Sequence, residues 1–144
     1  MNELKQVAQW LQQSTYTVIL TGAGMSTESG IADFRSAGGW WRNINPQTVA
    51  NIEAFHENYE LFTDFYSMRL EKLRECTPHE GHFVLAKWEE AGYCHCVATQ
   101  NVDGFHQQAG SDLVAELHGN IHQVRCQSCG RSYEEAVFIA GERC

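Results

Sequence analysis

No stretch of this 144-residue chain approaches the ~18 consecutive apolar residues that a membrane-spanning helix needs, so no such span is expected. The first ten residues, MNELKQVAQW, hold no uninterrupted apolar core, so a secretory signal is not expected either. Positive charge is scarce. Ten Lys and Arg stand against 18 Asp and Glu, a formal net charge of −8. An acidic surface repels phosphate backbones, which argues against nucleic acid as a partner; a lysine-rich protein tail suits the sign better. Internal repeats, low-complexity stretches and long charge blocks are missing too. What is present is 43% hydrophobic residues, enough to fill a core and to exclude a disordered linker. The length suits one domain of roughly 100–200 residues. Six cysteines without a signal point to a reducing, cytoplasmic setting and to thiols or metal, not to a disulfide framework. The last residue, Cys144, is itself a cysteine.

Apolar periodicity predicts a helix over 2–13, carried by Leu4, Val7, Ala8 and Leu11. Tyr16 to Leu20 reads as a buried strand feeding a glycine turn, and 25–29 could open a helix. Residues 36–48, with adjacent glycines and a proline, read as a long mobile loop. A helix is expected over 57–74. Another should be capped by Thr77, with Pro78 at its first position and Glu80 closing a capping box, and run to Glu90 with Gly92 as its stop. Residues 94–99 and 113–117 read as further strands. This order predicts an α/β fold with a Rossmann-like parallel sheet, whose ligands bind at the carboxyl ends of the strands. Three segments leave such ends: Gly22 onward, Gln100 onward and His118 onward.

Gly22-Ala23-Gly24-Met25-Ser26-Thr27 suits a backbone that approaches a pyrophosphate, but it lacks the third glycine and equally suits a plain tight turn. In Gly30-Ile31-Ala32-Asp33-Phe34-Arg35, Arg35 beside a carboxylate and an aromatic could hold a phosphate or orient a sugar; a surface ion pair with an anchoring Phe fits as well. Gln100, Asn101 and Asp103 put more amide and carboxylate groups at a strand end than a turn requires, and Asn101 and Asp103 share parity. His118, at a strand end and followed by Gly119, is placed for general-base work, with a structural histidine as the competing reading. A zincin-like pairing of His118 with His122 fails, because the glutamate of that motif is missing and Gly119 weakens the helix it needs. Cys126-Gln127-Ser128-Cys129-Gly130, with Cys144 downstream, has the spacing of a structural zinc site; a redox pair would open a helix, whereas a polar stretch follows. Cys76, Cys94 and Cys96 have no metal spacing and read as inert thiols.

GAGMSTESGIADFRSAGGWW, TQNVDGFHQQAG, ELHGNI and CQSC, in this order and spacing, resemble the sirtuin family from about Thr17 to Cys144. That family comprises zinc-containing, NAD-dependent protein-lysine deacylases, which form nicotinamide and O-acyl-ADP-ribose. The resemblance implies NAD contacts from Gly22, Ala23, Gly24, Thr27, Asp33, Phe34, Arg35, Gln100, Asn101, Val102, Asp103 and His118. Within that set, Gln100 and Asn101 approach the nicotinamide ribose and Val102 and Asp103 form the nicotinamide pocket. It implies His118 as catalytic base, and Cys126, Cys129 and Cys144 as three of four ligands of a structural zinc ion. Residues 1–122 would be the Rossmann-like portion and 123–144 the start of a small zinc domain. The implied partner is acylated lysine on proteins.

Two departures are local: Ala32 replaces the family's proline, and Phe105 stands where leucine is usual. Tyr66 and Arg69, three apart on a helix, resemble a pair that binds the carboxylate of succinyl or malonyl lysine in one subgroup, as does the AGGWWR segment; Asp33 follows the ordinary deacetylase pattern. Family members also continue past this point with a second cysteine pair, later strands and adenosine-binding loops. The expectation is therefore a deacetylase, with two alternatives: a desuccinylase or demalonylase, or a non-catalytic partial domain whose unpaired sheet edge favours self-association.

Overall fold

The three apolar runs form one parallel sheet. In the computed structural model, which describes residues 2–144, β1 (Val18–Thr21), β2 (Cys96–Thr99) and β3 (Val114–Glu116) lie in that order across it. Thr21 pairs with Thr99, and Thr99 with Glu116, so the three strands end level with one another. The ladder extends one step further: Gln100 N–H donates to the Thr21 carbonyl and Leu117 N–H to the Thr99 carbonyl. Gly22, Gln100 and His118 therefore leave the same edge of one sheet. The Rossmann-like parallel sheet is as expected.

The chain divides into two compact units. The first runs up to Met25 and continues through Pro78–Asn120; the second comprises Ser26–Thr77 and Ile121–Cys144. The first holds the parallel sheet with α1 (Glu3–Gln13), α5 (Glu80–Glu90) and α6 (Phe105–Gln108). Its core is Leu85, Cys94, Val97 and Phe105, with His82 and His106 fully buried among them. Val18 and Leu20 on β1, with Leu113 and Leu117 flanking β3, stay exposed, so part of the sheet's apolar surface is left uncovered. No helix among the described residues is long and apolar enough to cross a membrane.

The second unit packs α2 (Pro46–Val49), α3 (Ile52–Glu57) and α4 (Tyr59–Arg74) around Val49, Ala54, Phe65, Leu70 and Leu73. Phe55, Phe62 and Tyr66 stack in sequence, with ring centroids 5.3 and 4.6 Å apart. An antiparallel hairpin, β4 (Gln123–Arg125) with β5 (Ser132–Glu134), carries the cysteine pair and leads into α7 (Glu135–Ile139).

Besides the strand expected to be buried, whose Tyr16, Val18 and Leu20 are exposed, two sequence expectations need correction. Residues 36–48 are not one loop: Trp40–Arg42 forms a 3-10 turn, and α2 starts at Pro46 with Asn45 as its cap. The Trp40 ring anchors this segment edge-on against Phe65 at 6.2 Å. The second concerns the start of α5. Its cap is His79, not Thr77. His79 Nδ1 accepts the Gly81 N–H (3.0 Å), while its Nε2–H donates to the Met25 carbonyl (2.6 Å). The reciprocal half of the box comes from His82, whose Nδ1 accepts the His79 N–H (3.3 Å), in the place assigned to Glu80. One ring thus caps the helix and ties it to the segment after β1, a double duty that a threonine hydroxyl at 77 does not perform.

His79→Ala should therefore lower unfolding free energy by about 1–2 kcal/mol, and Thr77→Ala by less than about 0.5 kcal/mol. Equilibrium urea unfolding of the two variants checks this; equal losses would restore Thr77 as the cap.

Candidate functional site

The first unit gathers six of the predicted residues where the strands end. Gly22 and Gln100 lie close: a Cβ at position 22 would sit 3.9 Å from the Gln100 side-chain nitrogen. Asn101, nearly buried, donates from Nδ2 to the Gly22 carbonyl (3.0 Å), tying the glycine turn to the loop after β2. Its own N–H donates to Thr99 Oγ1 (3.0 Å). Asp103, also buried, accepts the Phe105 N–H on Oδ1 (3.0 Å) beside Gly104, whose φ of +73° makes the turn into α6. Val102 between them is half-buried. The shared parity of Asn101 and Asp103 thus becomes shared burial.

His118 is exposed on the same edge. Its Nδ1 lies 3.0 Å from the Gln100 carbonyl, which can only accept, so Nδ1 carries the proton and Nε2 presents a lone pair outward. That is the tautomer a general base needs. Glu116, the last residue of β3, accepts from Gln107 Nε2 (2.6 Å) and Asn120 Nδ2 (2.7 Å), bracing the turn that presents His118. Ala23 and Gly24 open a 3-10 helix, Ala23–Ser29, and a side chain at position 24 would meet no atom within 4 Å.

The second unit holds Thr27, Asp33, Phe34 and Arg35. Asp33 Oδ1 accepts the Ser36 N–H (3.1 Å), and the Asp33 carbonyl accepts the Trp40 N–H (2.9 Å). Gly39 is buried against this loop. A Cβ there would fall 2.6 Å from the Phe34 carbonyl carbon and 2.8 Å from the Arg35 nitrogen, so only glycine fits. Arg35 and Thr27 are exposed. Arg69 lies 5.6 Å from the ring centroids of Phe34, Phe65 and Tyr66, a cation held among three aromatic faces. A cavity of about 420 Å³ opens beside Tyr66, Phe62, Phe55 and Ile52, with Arg125 and Gln127 on its rim.

In the same unit, the sulfurs of Cys126, Cys129 and Cys144 all lie within 4.8 Å of one another, and those of Cys129 and Cys144 are 3.6 Å apart. Tetrahedral thiolate ligands about 2.3 Å from zinc stand roughly 3.8 Å apart, so the three fit one ion. Gly130 (φ +72°) makes the turn, closed by the Cys126 N–H donating to the Arg131 carbonyl. The N–H groups of Cys129 and Ser128, bonded to the Cys126 sulfur, bring its pKa down to about 7. All six cysteines are free thiols. Of the three expected to be inert, Cys94 is buried and its pKa is pushed up by burial; Cys76 and Cys96 are half-buried.

Sequence reasoning missed a buried histidine cluster under the ligand-facing edge. His82 sits between His79 and His106, with ring centroids 4.6 and 4.9 Å away. Burial first, then the neighbouring His106 and His79, brings the His82 pKa down to about 4; burial lowers that of His106 as well, with Asp103 opposing. The signal available was the i, i+3 spacing of His79 and His82 inside a helix start.

Polar groups at the ends of a parallel sheet and a hairpin on which three cysteine sulfurs converge define an α/β protein with a candidate ligand site and a candidate metal site. Comparison narrows it. The Sir2 family model matches residues 22–142. The NAD-dependent protein deacetylase of Oceanobacillus iheyensis is 51% identical over 137 residues, which cover 94% of this chain and 58% of that protein. The deacetylase of Sulfolobus acidocaldarius is 44% identical over 140 residues, 97% of this chain and 55% of its own. Among solved structures, a Sir2 homologue bound to NAD superposes with a TM-score of 0.83 at 41% identity, covering 90% of this chain and 51% of that one. A Sir2 complex with a p53 peptide and NAD gives 0.81 at 40%, covering 91% and 52%. The chain belongs to the Sir2 family, and it spans a little over half the length of these relatives.

The low His82 pKa carries a stability consequence. Between the ordinary 6.5 and about 4, the unfolded chain binds protons that the folded chain does not. Stability should be full above pH 6.5 and fall, by on the order of 3 kcal/mol from this group, as pH drops through about 4. Urea unfolding measured across that range checks it; a flat profile in His82→Asn alongside a sloping parent assigns the effect to this ring.

Proposed function

We propose that this chain carries the nicotinamide-side half of an NAD-dependent protein-lysine deacetylase. Its supporting observation is His118: Nδ1–H anchored on the Gln100 carbonyl and Nε2 open at the shared end of three parallel strands. The named relatives are NAD-dependent protein deacetylases, and solved neighbours hold NAD and a peptide, which supports the same reading. Bound NAD supplies a ribose carbon with a good leaving group and a hydroxyl that can be deprotonated. His118 Nε2 is the atom that would take a proton from that hydroxyl. Gln100 and Asn101 would orient the ribose, Val102 and Asp103 would enclose the nicotinamide amide, and Gly22, Ala23 and Gly24 would let the backbone approach the pyrophosphate. Thr27, Asp33, Phe34 and Arg35, which lie in the second unit, are the remaining residues that the family resemblance assigns to NAD. The donor set fits: amides, a carboxylate and a histidine sit at one strand edge beside a glycine with open space.

Cys126, Cys129 and Cys144 would hold a zinc ion, and the ion would serve to cross-link the hairpin. Residues 1–122 then serve catalysis and 123–144 begin the zinc module. Acylated lysine on proteins is the substrate, and the free thiols suit a reducing cytoplasm.

The test is nicotinamide release from NAD and an acetyl-lysine peptide, by a chain continued past Cys144 to the length of the relatives. Activity should be present, and His118→Ala should reduce kcat by at least about a hundredfold. Full activity in that variant removes His118 from its role. Purified protein should carry one zinc per chain, and a chelator should lower its melting temperature; metal-free protein with unchanged melting discards the zinc site.

The stacking of Arg69 on three rings favours a structural role over an acyl-carboxylate reader. Arg69→Met should leave the ratio of desuccinylation to deacetylation within about threefold. A selective loss of desuccinylation would reinstate Tyr66 and Arg69 as substrate contacts.

A further inference from the structure

A directional hydrogen-bond chain runs beneath the strand ends. Thr21 Oγ1 donates to Thr99 Oγ1 (2.9 Å), and Thr99 Oγ1 also accepts the Asn101 N–H (3.0 Å). Because the Thr21 proton is committed to Thr99, His106 Nε2, 2.9 Å from Thr21 Oγ1, must be the donor there. His106 Nδ1 is then an acceptor. It is buried and has no hydrogen-bond partner among the described residues. The same logic applies one ring further. His82 Nδ1 accepts the His79 N–H, so the neutral His82 carries its proton on Nε2, which is likewise buried and without a partner among the described residues. The two leftover atoms are one donor and one acceptor, on neighbouring rings 1% and 0% exposed. The two atoms are complementary, and a hydrogen bond between them would satisfy both.

We propose that His82 and His106, each neutral and protonated on Nε2, join Thr21 and Thr99 in one buried chain that holds the Asn101 backbone, making both histidines positioning residues for the 100–103 loop. The consequence for turnover rests on the reading of that loop as the nicotinamide contact; the chain itself does not. Every link has the same polarity, running His82 to His106 to Thr21 to Thr99. A proton added to His106 Nδ1 would turn the acceptor into a second donor facing His82 and break the chain. The groups facing the pair are His79 from the start of α5 and Asp103 from the loop before α6. The carboxylate of Asp103 favours that extra proton, and burial together with His79 opposes it.

Long-range nitrogen–proton NMR of the imidazoles reads the tautomers directly, without NAD. Both rings should be neutral and Nε2-protonated from about pH 8 to about pH 6, with slowly exchanging Nε2 protons. A Nδ1-protonated or cationic ring at either position in that range overturns the proposal. In the catalytically complete chain, His106→Leu and Thr21→Val should each raise KM for NAD about tenfold, with kcat changed less than about threefold. His106→Gln, which keeps a donor for Thr21, should recover most of that loss. Equal loss in the Leu and Gln variants, or melting temperatures that fall while KM stays constant, would leave the residues with packing alone and sink the positioning role. If the tautomers are as stated and no NAD turnover exists, the chain stands and the deacetylase reading fails.

Discussion

The hydroxyl of Thr21 bonded to that of Thr99 is the contact on which the ligand-facing edge depends. It joins two parallel strands at their last paired residues, so the loops that follow must start side by side. Parallel pairing alone would align the strands. The threonine pair also hands its remaining capacity outward, to the Asn101 backbone on one side and the His106 ring on the other. Asn101 then reaches across to the Gly22 carbonyl, and the two loops become one surface.

Each of the two units is stabilised internally in a different way. The first buries histidines as neutral, directional polar groups inside an apolar core, and their desolvation is offset by hydrogen bonds that also fix loop positions. The second builds an aromatic stack on α3 and α4 and leaves the hairpin β4–β5 with little apolar burial. Val124 and Tyr133 are its half-buried pair, and the rest of it is exposed. A hairpin that small is marginal in water, and the three thiols that converge on it lie close enough together to fit one metal ion.

Much of this was readable in the residues. The three strands follow from short β-branched runs, the hairpin from CxxCG, and the edge assignment from polar residues placed directly after strands. Capping rules weigh nearest neighbours, so they point to Thr77 at the start of α5. His79 wins there through its bond to the Met25 carbonyl, 54 residues away in sequence. The segment 36–48 was read as loop because its glycines are conspicuous. Gly39 is in fact demanded by close backbone packing, and Trp40 is anchored by Phe65, a residue whose proximity no local pattern reveals.

By itself, the sequence determined the strand positions, the membership of the Sir2 family through four motifs in register, and the three cysteines whose sulfurs converge, because these depend on residue type and spacing. Only the tertiary structure decided which tautomer His118 presents, that His82 and His106 lie buried side by side, and that Arg69 rests on three aromatic rings. His118 depends on Gln100, 18 residues away, and Arg69 meets Phe34 from another segment as well as its helix neighbours Phe65 and Tyr66. A histidine's chemistry is set by what its two nitrogens touch, and that is settled only when the chain has folded around them.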